Sequence, residues 1–257
     1  MASWLTPYWP APKSVGAAIT TREGGCSKAP FDSNNLALHV ADSEADVIAN
    51  RESIVENLGL PEQPLWLEQV HGTEVIYTPR IMGNATATLA PAADASYTDK
   101  AGRACVVMTA DCLPVLFCNQ QGTQVAAAHA GWRGLCNGVL RNTVATFNRS
   151  DKVMAYLGPA IGPVAFEVGA EVLQAFIEQA QNLQQVQAIK AAFVPAKEGK
   201  YFADLYALAR AELASCGIKA VYGGDCCTFS DSARFYSYRR EAKTGRMASL
   251  IWLKNSQ

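Results

Sequence analysis

Long apolar runs are missing from this sequence: no stretch approaches the ~18 residues a membrane helix needs, which argues against a membrane span. A basic block is missing too. Net charge is −1, and lysine and arginine are scattered apart from Arg239–Arg240, so the electrostatic footprint of a nucleic-acid binder is absent. Met1 to Pro12 holds two tryptophans and three prolines but no basic segment leading into an apolar one. No signal peptide is visible, and the cytoplasm is the expected address. The eight cysteines include no C-x-x-C pair, and there is no internal repeat and no linker rich in serine and glycine. Reduced thiols are expected, with Cys105, Cys118 and Cys136 inside apolar runs as small core residues. Scarcest of all is histidine, with three in 257 residues.

What is present is an ordinary globular composition, 49% hydrophobic and 18% charged. A chain of this length buries roughly three quarters of the surface its unfolded form exposes, so it needs no metal merely to fold. Apolar runs predict strands over Val15–Thr20, Leu65–Val70, Ala104–Thr109, Val115–Cys118, Thr123–Ala128 and Lys152–Leu157. Shorter ones follow at Ala220–Tyr222, Phe235–Tyr238 and Met247–Leu253. Helical periodicity predicts a helix capped by Ser43 and reaching Leu58, closed by Gly59. Others span Gly134–Phe147, Gly169–Leu183 and Asp204–Cys216, the last stopped by Gly217. Arg80 to Ala93 reads as a surface loop, and Gln179 to Gly199 as a helix followed by a loop. The expected class is α+β: one domain over residues 1–257, with mixed β-sheets flanked by helices. No local pattern specifies an oligomeric state.

In the first helix the apolar stripe is Val47, Ile48, Ile54, Val55 and Leu58, and the 3.6-residue period sets Arg51 in its middle. A guanidinium there calls for an anion: either an internal carboxylate, or a phosphate or carboxylate ligand. Two of the three histidines end strand-like runs, His71 before Gly72 and His129 before Ala130-Gly131-Trp132-Arg133-Gly134. Cys112 follows another run in Thr109-Ala110-Asp111-Cys112-Leu113-Pro114. One thiolate and two imidazoles suit zinc with a fourth position open, and they also suit copper. The intervals match no short zinc-finger pattern, so spacing alone does not join them. The turn after His129 leads straight into a helix whose first N–H groups would attract an anion. Asp111 is placed either to orient a ligating imidazole or to cap its turn.

The ordered motifs carry a specific resemblance. They are Thr21-Arg22-Glu23-Gly24-Gly25-Cys26-Ser27, Asn34 to Val40, Asn50-Arg51, Gln69-Val70-His71-Gly72, Asp94-Ala95, Thr109 to Val115 and His129 to Gly134. Later come Leu157 to Pro163, Phe166-Glu167-Val168, Asp225-Cys226-Cys227-Thr228, Tyr238-Arg239-Arg240 and Thr244-Gly245-Arg246. With these the chain resembles the YfiH-like or laccase-domain family, also called the multicopper polyphenol oxidase family. Departures at Asn34, Ala37 and Val164 lie away from the metal-ligand motifs.

The resemblance implies a metal bound by His71, Cys112 and His129, usually zinc (Zn2+), one per chain, with copper (Cu2+) also attributed. It implies a purine nucleoside phosphorylase acting on adenosine, inosine and methylthioadenosine, with adenosine deaminase activity. Arg51 is similar to a phosphate-contacting residue of the family, while His39 and Arg133 are weaker substrate-contact candidates. The small-molecule partners would be a nucleoside and phosphate. A copper polyphenol oxidase is a rival, although three histidines are too few for a type 1 site plus a trinuclear cluster. Another rival is a thiol hydrolase or amidase editing peptidoglycan precursors, with Cys112 as nucleophile and His129 as base. A third is a closed structural metal site with Cys227 or Asp111 as fourth ligand. Arg239, Arg240 and Arg246 are expected to pair with acids on the surface rather than line the pocket.

Overall fold

The computed structural model describes residues 3–78, 90–149 and 151–255. Strands β1 (Trp4–Leu5) and β2 (Val15–Thr20) precede helix α1 (Glu44–Leu58) and strands β3 (Val75–Tyr77) and β4 (Ala95–Thr98). Three strands follow in close succession: β5 (Ala104–Thr109), β6 (Leu113–Asn119) and β7 (Val125–Ala130). Next are helices α2 (Trp132–Asn137) and α3 (Val139–Val144), strands β8 (Val153–Leu157) and β9 (Glu167–Val168), and helices α4 (Ala170–Gln179) and α5 (Leu183–Ala191). The chain closes with β10 (Phe193–Pro195), β11 (Tyr201–Ala203), α6 (Leu205–Ser215), β12 (Ala220–Gly223) and β13 (Met247–Leu253).

The strands form a six-stranded sheet in the order β12-β8-β6-β7-β4-β3, a four-stranded sheet β1-β2-β13-β5, and a small β10-β11-β9 sheet. Parallel pairing occurs at β3–β4 and β12–β8, so the large sheet is mixed. Alternation along β6 shows how the layers stack. Leu113, Val115 and Phe117 pack with Leu135, Leu140 and Leu208 from the helices. Leu116 and Cys118 face the other way, onto Ile19, Val107 and Ile251 of the four-stranded sheet. That sheet in turn turns Val106 and Leu250 toward Ile54 of α1. The order is helices, sheet, sheet, helix, and the α+β expectation with mixed sheets flanked by helices describes it. A strand covered on both faces has no polar side to show, which is why β6 reads as an unbroken apolar run.

Local signals placed most elements. The Ser43 hydroxyl accepts from the Asp46 N–H and Gly59 closes α1 at φ 63°, while Asp204 accepts from Tyr206 and Ala207 at the start of α6. Four expectations need correction. The predicted Gly134–Phe147 helix is two helices, interrupted by Gly138 at φ 98°, a left-handed conformation that ends one helix and begins another. The predicted Gly169–Leu183 helix ends at Gln179, and Leu183 instead starts α5 behind the Asn182 cap. Leu65–Val70 makes no strand: among the described residues its one bridge is Glu68 to Ala92. Phe235 and Tyr236 are fully buried but lie in irregular chain between two turns, so their apolar character reflects burial and not strand pairing. The predicted Arg80–Ala93 loop falls mostly outside the described residues. All eight cysteines are free, with Cys105, Cys118 and Cys136 buried. Among the described residues no helix is long and apolar enough to cross a membrane.

The packing generates a prediction. Leu116 is fully buried between the two sheets. Leu116→Ala leaves a cavity that neither rigid layer can close, and should cost about 2–5 kcal/mol, read as a lower urea midpoint at unchanged slope.

Candidate metal centre

The site forms where three strand ends meet. β5 belongs to the four-stranded sheet and β6 to the six-stranded one, so the turn Ala110-Asp111-Cys112 is the corner at which the chain changes sheets. Asp111 takes φ 89° there, an uncommon conformation for a residue with a Cβ. The β6–β7 register pairs Leu113 with Ala130 and Pro114 with His129, and so brings Cys112 alongside Gly131. His71 arrives on the loop before β3, also with positive φ, 59°. The ligand atoms of His71, Cys112 and His129 lie within 4.8 Å of one another. Cys112 Sγ is 3.7 Å from His71 Nε2, and the two imidazole rings are T-shaped with centroids 4.8 Å apart.

This arrangement fits a metal ion. Tetrahedral zinc at ordinary Zn–S and Zn–N lengths puts one sulfur and two nitrogen ligand atoms about 3.3–3.6 Å apart, close to the 3.7 Å between Cys112 Sγ and His71 Nε2. Gly131 leaves the space: a Cβ there would lie 2.7 Å from His71 Cδ2 and 3.0 Å from Cys112 Sγ. The His129 Nδ1–H donates to Asp94 Oδ1 at 2.7 Å, which fixes the tautomer and leaves Nε2 for the site.

Asp94 is fully buried, and its carboxylate also accepts the backbone N–H groups of Val70 (3.2 Å), His71 (3.0 Å) and Gly72 (2.6 Å). Burial pushes this carboxyl up, but the hydrogen bond and charge of His129, with the Gly72 and Val70 N–H groups, hold it below the ordinary range. Burial likewise pushes the Cys112 thiol up. The charge and hydrogen bonding of His129, then those of His71, outweigh it and hold the thiol below its usual range. In His129 burial works downward, and Cys112 and Asp94 together raise the imidazole above its usual range. The thiolate is therefore the favoured form of Cys112 at neutral pH.

The trio opens into a cavity of about 550 Å³, within the usual size of small-molecule sites. One side is apolar and aromatic, with Trp132, Ile161, Phe166 and Leu205. His39, Tyr238, Arg239 and Arg246 line it as well. Burial, then the charges of Arg246 and Arg51, push the His39 imidazole below its ordinary range, which favours its neutral form beside the two guanidinium groups.

Arg51 itself does not line the cavity. Its Nε donates to the Leu36 carbonyl at 2.8 Å and its guanidinium lies over the Trp66 ring at 3.9 Å. No carboxylate pairs with it among the described residues. Burial lowers its pKa to about 10. Arg133 is exposed, lies over Trp132 and stays outside the cavity.

Asp111 lines the cavity but does not touch an imidazole: it accepts from the Thr228 hydroxyl and the Arg239 N–H, both at 2.6 Å. The imidazole-orienting carboxylate is Asp94. Cys227 Sγ accepts from the Gly162 N–H at 3.2 Å and faces a separate cavity, so neither it nor Asp111 closes the site as a fourth ligand. The helix after His129 has six residues, too short to develop the dipole expected to hold an anion. Cationic side chains take that place.

The C-terminal arginines also correct the expectation of surface ion pairs. Arg239 and Arg246 line the cavity and donate to backbone carbonyls, Ala165 and Glu167 for the first, Thr244 and Gly245 for the second. Only Arg240 meets an acid, Glu241 at 3.6 Å.

Second-sphere support makes the centre testable in solution. Asp94→Asn removes the charge that fixes His129 and should weaken zinc binding about 10–100-fold in a chelator competition. Gly131→Ala, whose methyl would overlap His71, should give a loss of the same order in that assay.

A family model described as "Multi-copper polyphenol oxidoreductase laccase" matches residues 16–254. A protein of Pseudomonas aeruginosa named purine nucleoside phosphorylase is 51% identical, over 99% of this chain and 100% of its own. The purine nucleoside phosphorylase YfiH of Escherichia coli is 50% identical over 98% of this chain and 100% of its own. Among solved structures, a Neisseria meningitidis protein superposes with a TM-score of 0.88 at 49% identity, covering 98% of this chain and 99% of that one. YlmD of Geobacillus stearothermophilus does so at 0.87 and 33% identity, covering 98% and 96%. With its fold and nearly its whole length in common with them, the chain belongs to the YfiH-like, laccase-domain family.

Proposed function

We propose that this chain is a zinc-dependent purine nucleoside phosphorylase, cleaving adenosine, inosine and methylthioadenosine with inorganic phosphate and also deaminating adenosine. The observation that carries the reading is the open three-ligand centre facing a cavity with an apolar, aromatic lining and the guanidinium of Arg246 beside the imidazole of His39. The names of the relatives point to the same reaction. The donor set suits copper too, but three histidines serve a single centre better than a multicopper cluster.

Phosphorolysis forms a bond from a phosphate oxygen to the ribose C1′ as the bond from C1′ to the base nitrogen breaks. The electron pair leaves with the base, which takes up a proton. Arg246 and His39 hold the phosphate, and Arg51 adds positive potential behind them. Phe166, Ile161 and Leu205 receive the flat base and exclude water from it. His71, Cys112 and His129 would hold the metal, which when bound would supply Lewis acidity for both reactions. Asp94 keeps His129 in one tautomer throughout.

One observation favours a second reading. Asp94, His129 and Cys112 also form the acid–base–nucleophile series of a thiol hydrolase, with the thiolate already favoured. His71 separates the two, since a thiol hydrolase does not need it.

The deciding experiment incubates inosine with phosphate, with and without a chelator, and identifies products beside a metal assay on the same sample. Expected are hypoxanthine and ribose 1-phosphate, lost on chelation and restored by zinc. His71→Ala, Cys112→Ala and His129→Ala should each abolish turnover, and Arg246→Met should raise KM for phosphate about tenfold or more. Full activity in His71→Ala would move the assignment to the thiol reading.

A further inference from the structure

Gln69 lines the cavity beside the metal ligands, where a side-chain amide would ordinarily be taken to read a substrate. Its hydrogen bonds are directed elsewhere. Oε1 accepts the Met108 N–H at 2.7 Å and Nε2 donates to the Met108 carbonyl at 2.7 Å. Both functions of the amide are committed to one backbone residue.

Met108 lies on β5, the outermost strand of the four-stranded sheet, paired on its other side with Ala248 of β13. An outermost strand turns unpaired N–H and C=O groups outward. Gln69 answers one such pair with the donor and acceptor of a single side chain, in place of a neighbouring strand. This explains why the apolar segment 65–70 runs past β5 without forming a ladder: its tie is made by a side chain.

The position of this tie matters. Gln69 is two residues before His71, and Met108 is four before Cys112. Asp94 fastens the His71 loop to β4 and to His129. Among the described residues, the two Gln69 bonds are the hydrogen bonds that fasten residues 69–72 to β5, and the His71–Cys112 contact joins the same loop to the corner that follows β5.

We infer that Gln69 is a positioning residue of the metal centre, setting the separation of His71 from Cys112 through Met108 and making no contact with substrate. The inference rests on the metal reading of the trio. Gln69→Met keeps length and loses both bonds, while Gln69→Glu keeps the acceptor and loses the donor.

The test measures zinc affinity by indicator competition, the visible spectrum of the cobalt-substituted protein, steady-state kinetics, and the melting temperature of zinc-free protein. Expected are a 10–100-fold loss of zinc affinity in Gln69→Met and a smaller loss in Gln69→Glu. The thiolate-to-cobalt band should shift, and kcat should fall with KM for inosine and phosphate unchanged. Wild-type affinity and spectrum in both variants would overturn the assignment, as would a raised KM at constant kcat, the mark of a substrate contact. A zinc-free melting temperature lowered by more than about 10 °C, with the cobalt spectrum of the folded fraction unchanged, would mark an ordinary fold clasp and overturn it too. A wild-type protein that binds no zinc fails the centre itself, a different outcome from equal binding by wild type and variants.

Discussion

The buried carboxylate of Asp94 is the constraint on which the centre depends. It gathers four N–H groups from two places in the sequence, three consecutive backbone amides around His71 and the ring of His129. A buried carboxylate is expensive unless every lone pair is answered, and here they are. The same bonds hold His71 at its positive φ, a conformation that its local sequence does not favour. The two imidazoles therefore share one anchor, and the charge that fixes one ring also fixes the loop that carries the other.

The remaining geometry comes from the sheets. Cys112 stands at the corner between two sheets whose inner faces are packed on each other through Leu116, Val107 and Ile251. Interiors packed this way do not deform continuously, so the corner has a fixed place relative to the end of β7. The left-handed turn at Asp111 is held by Thr228 and Arg239, which ties the cavity's C-terminal wall to the residue before the thiolate. The Cys112 corner and the C-terminal wall of the cavity are thereby parts of one hydrogen-bonded unit.

Legibility in the sequence followed the range of the interaction. Helix α1 was readable from Ser43 and Gly59 because caps act within a turn, and β6 because burial on both faces leaves an apolar run. Gly138 was a glycine inside a helical pattern, and only the fold decided that it would break the helix. Segments 65–70 and 235–238 looked like strands because burial and strand pairing give the same apolar pattern over a few residues. His71, Cys112 and His129 were each visible at the end of an apolar run, yet nothing in their spacing joined them; the resemblance did. Asp94 carries no local sign of its role, since its partners lie 22 to 35 residues away. Arg246 carried no local sign that it would face a cavity and not a surface acid.

The register of β6 on β7 joins these constraints. Pairing Pro114 with His129 puts the imidazole on the same face as Val125 and Ala127, toward the other sheet and the Cys112 corner. The same pairing sets a glycine, Gly131, opposite Cys112, where any Cβ would occupy the space between the sulfur and His71. A slip of one residue would turn His129 to the helical face and set a side chain in that space. Strand alternation, a missing Cβ and one buried carboxylate together place three ligand atoms within 4.8 Å.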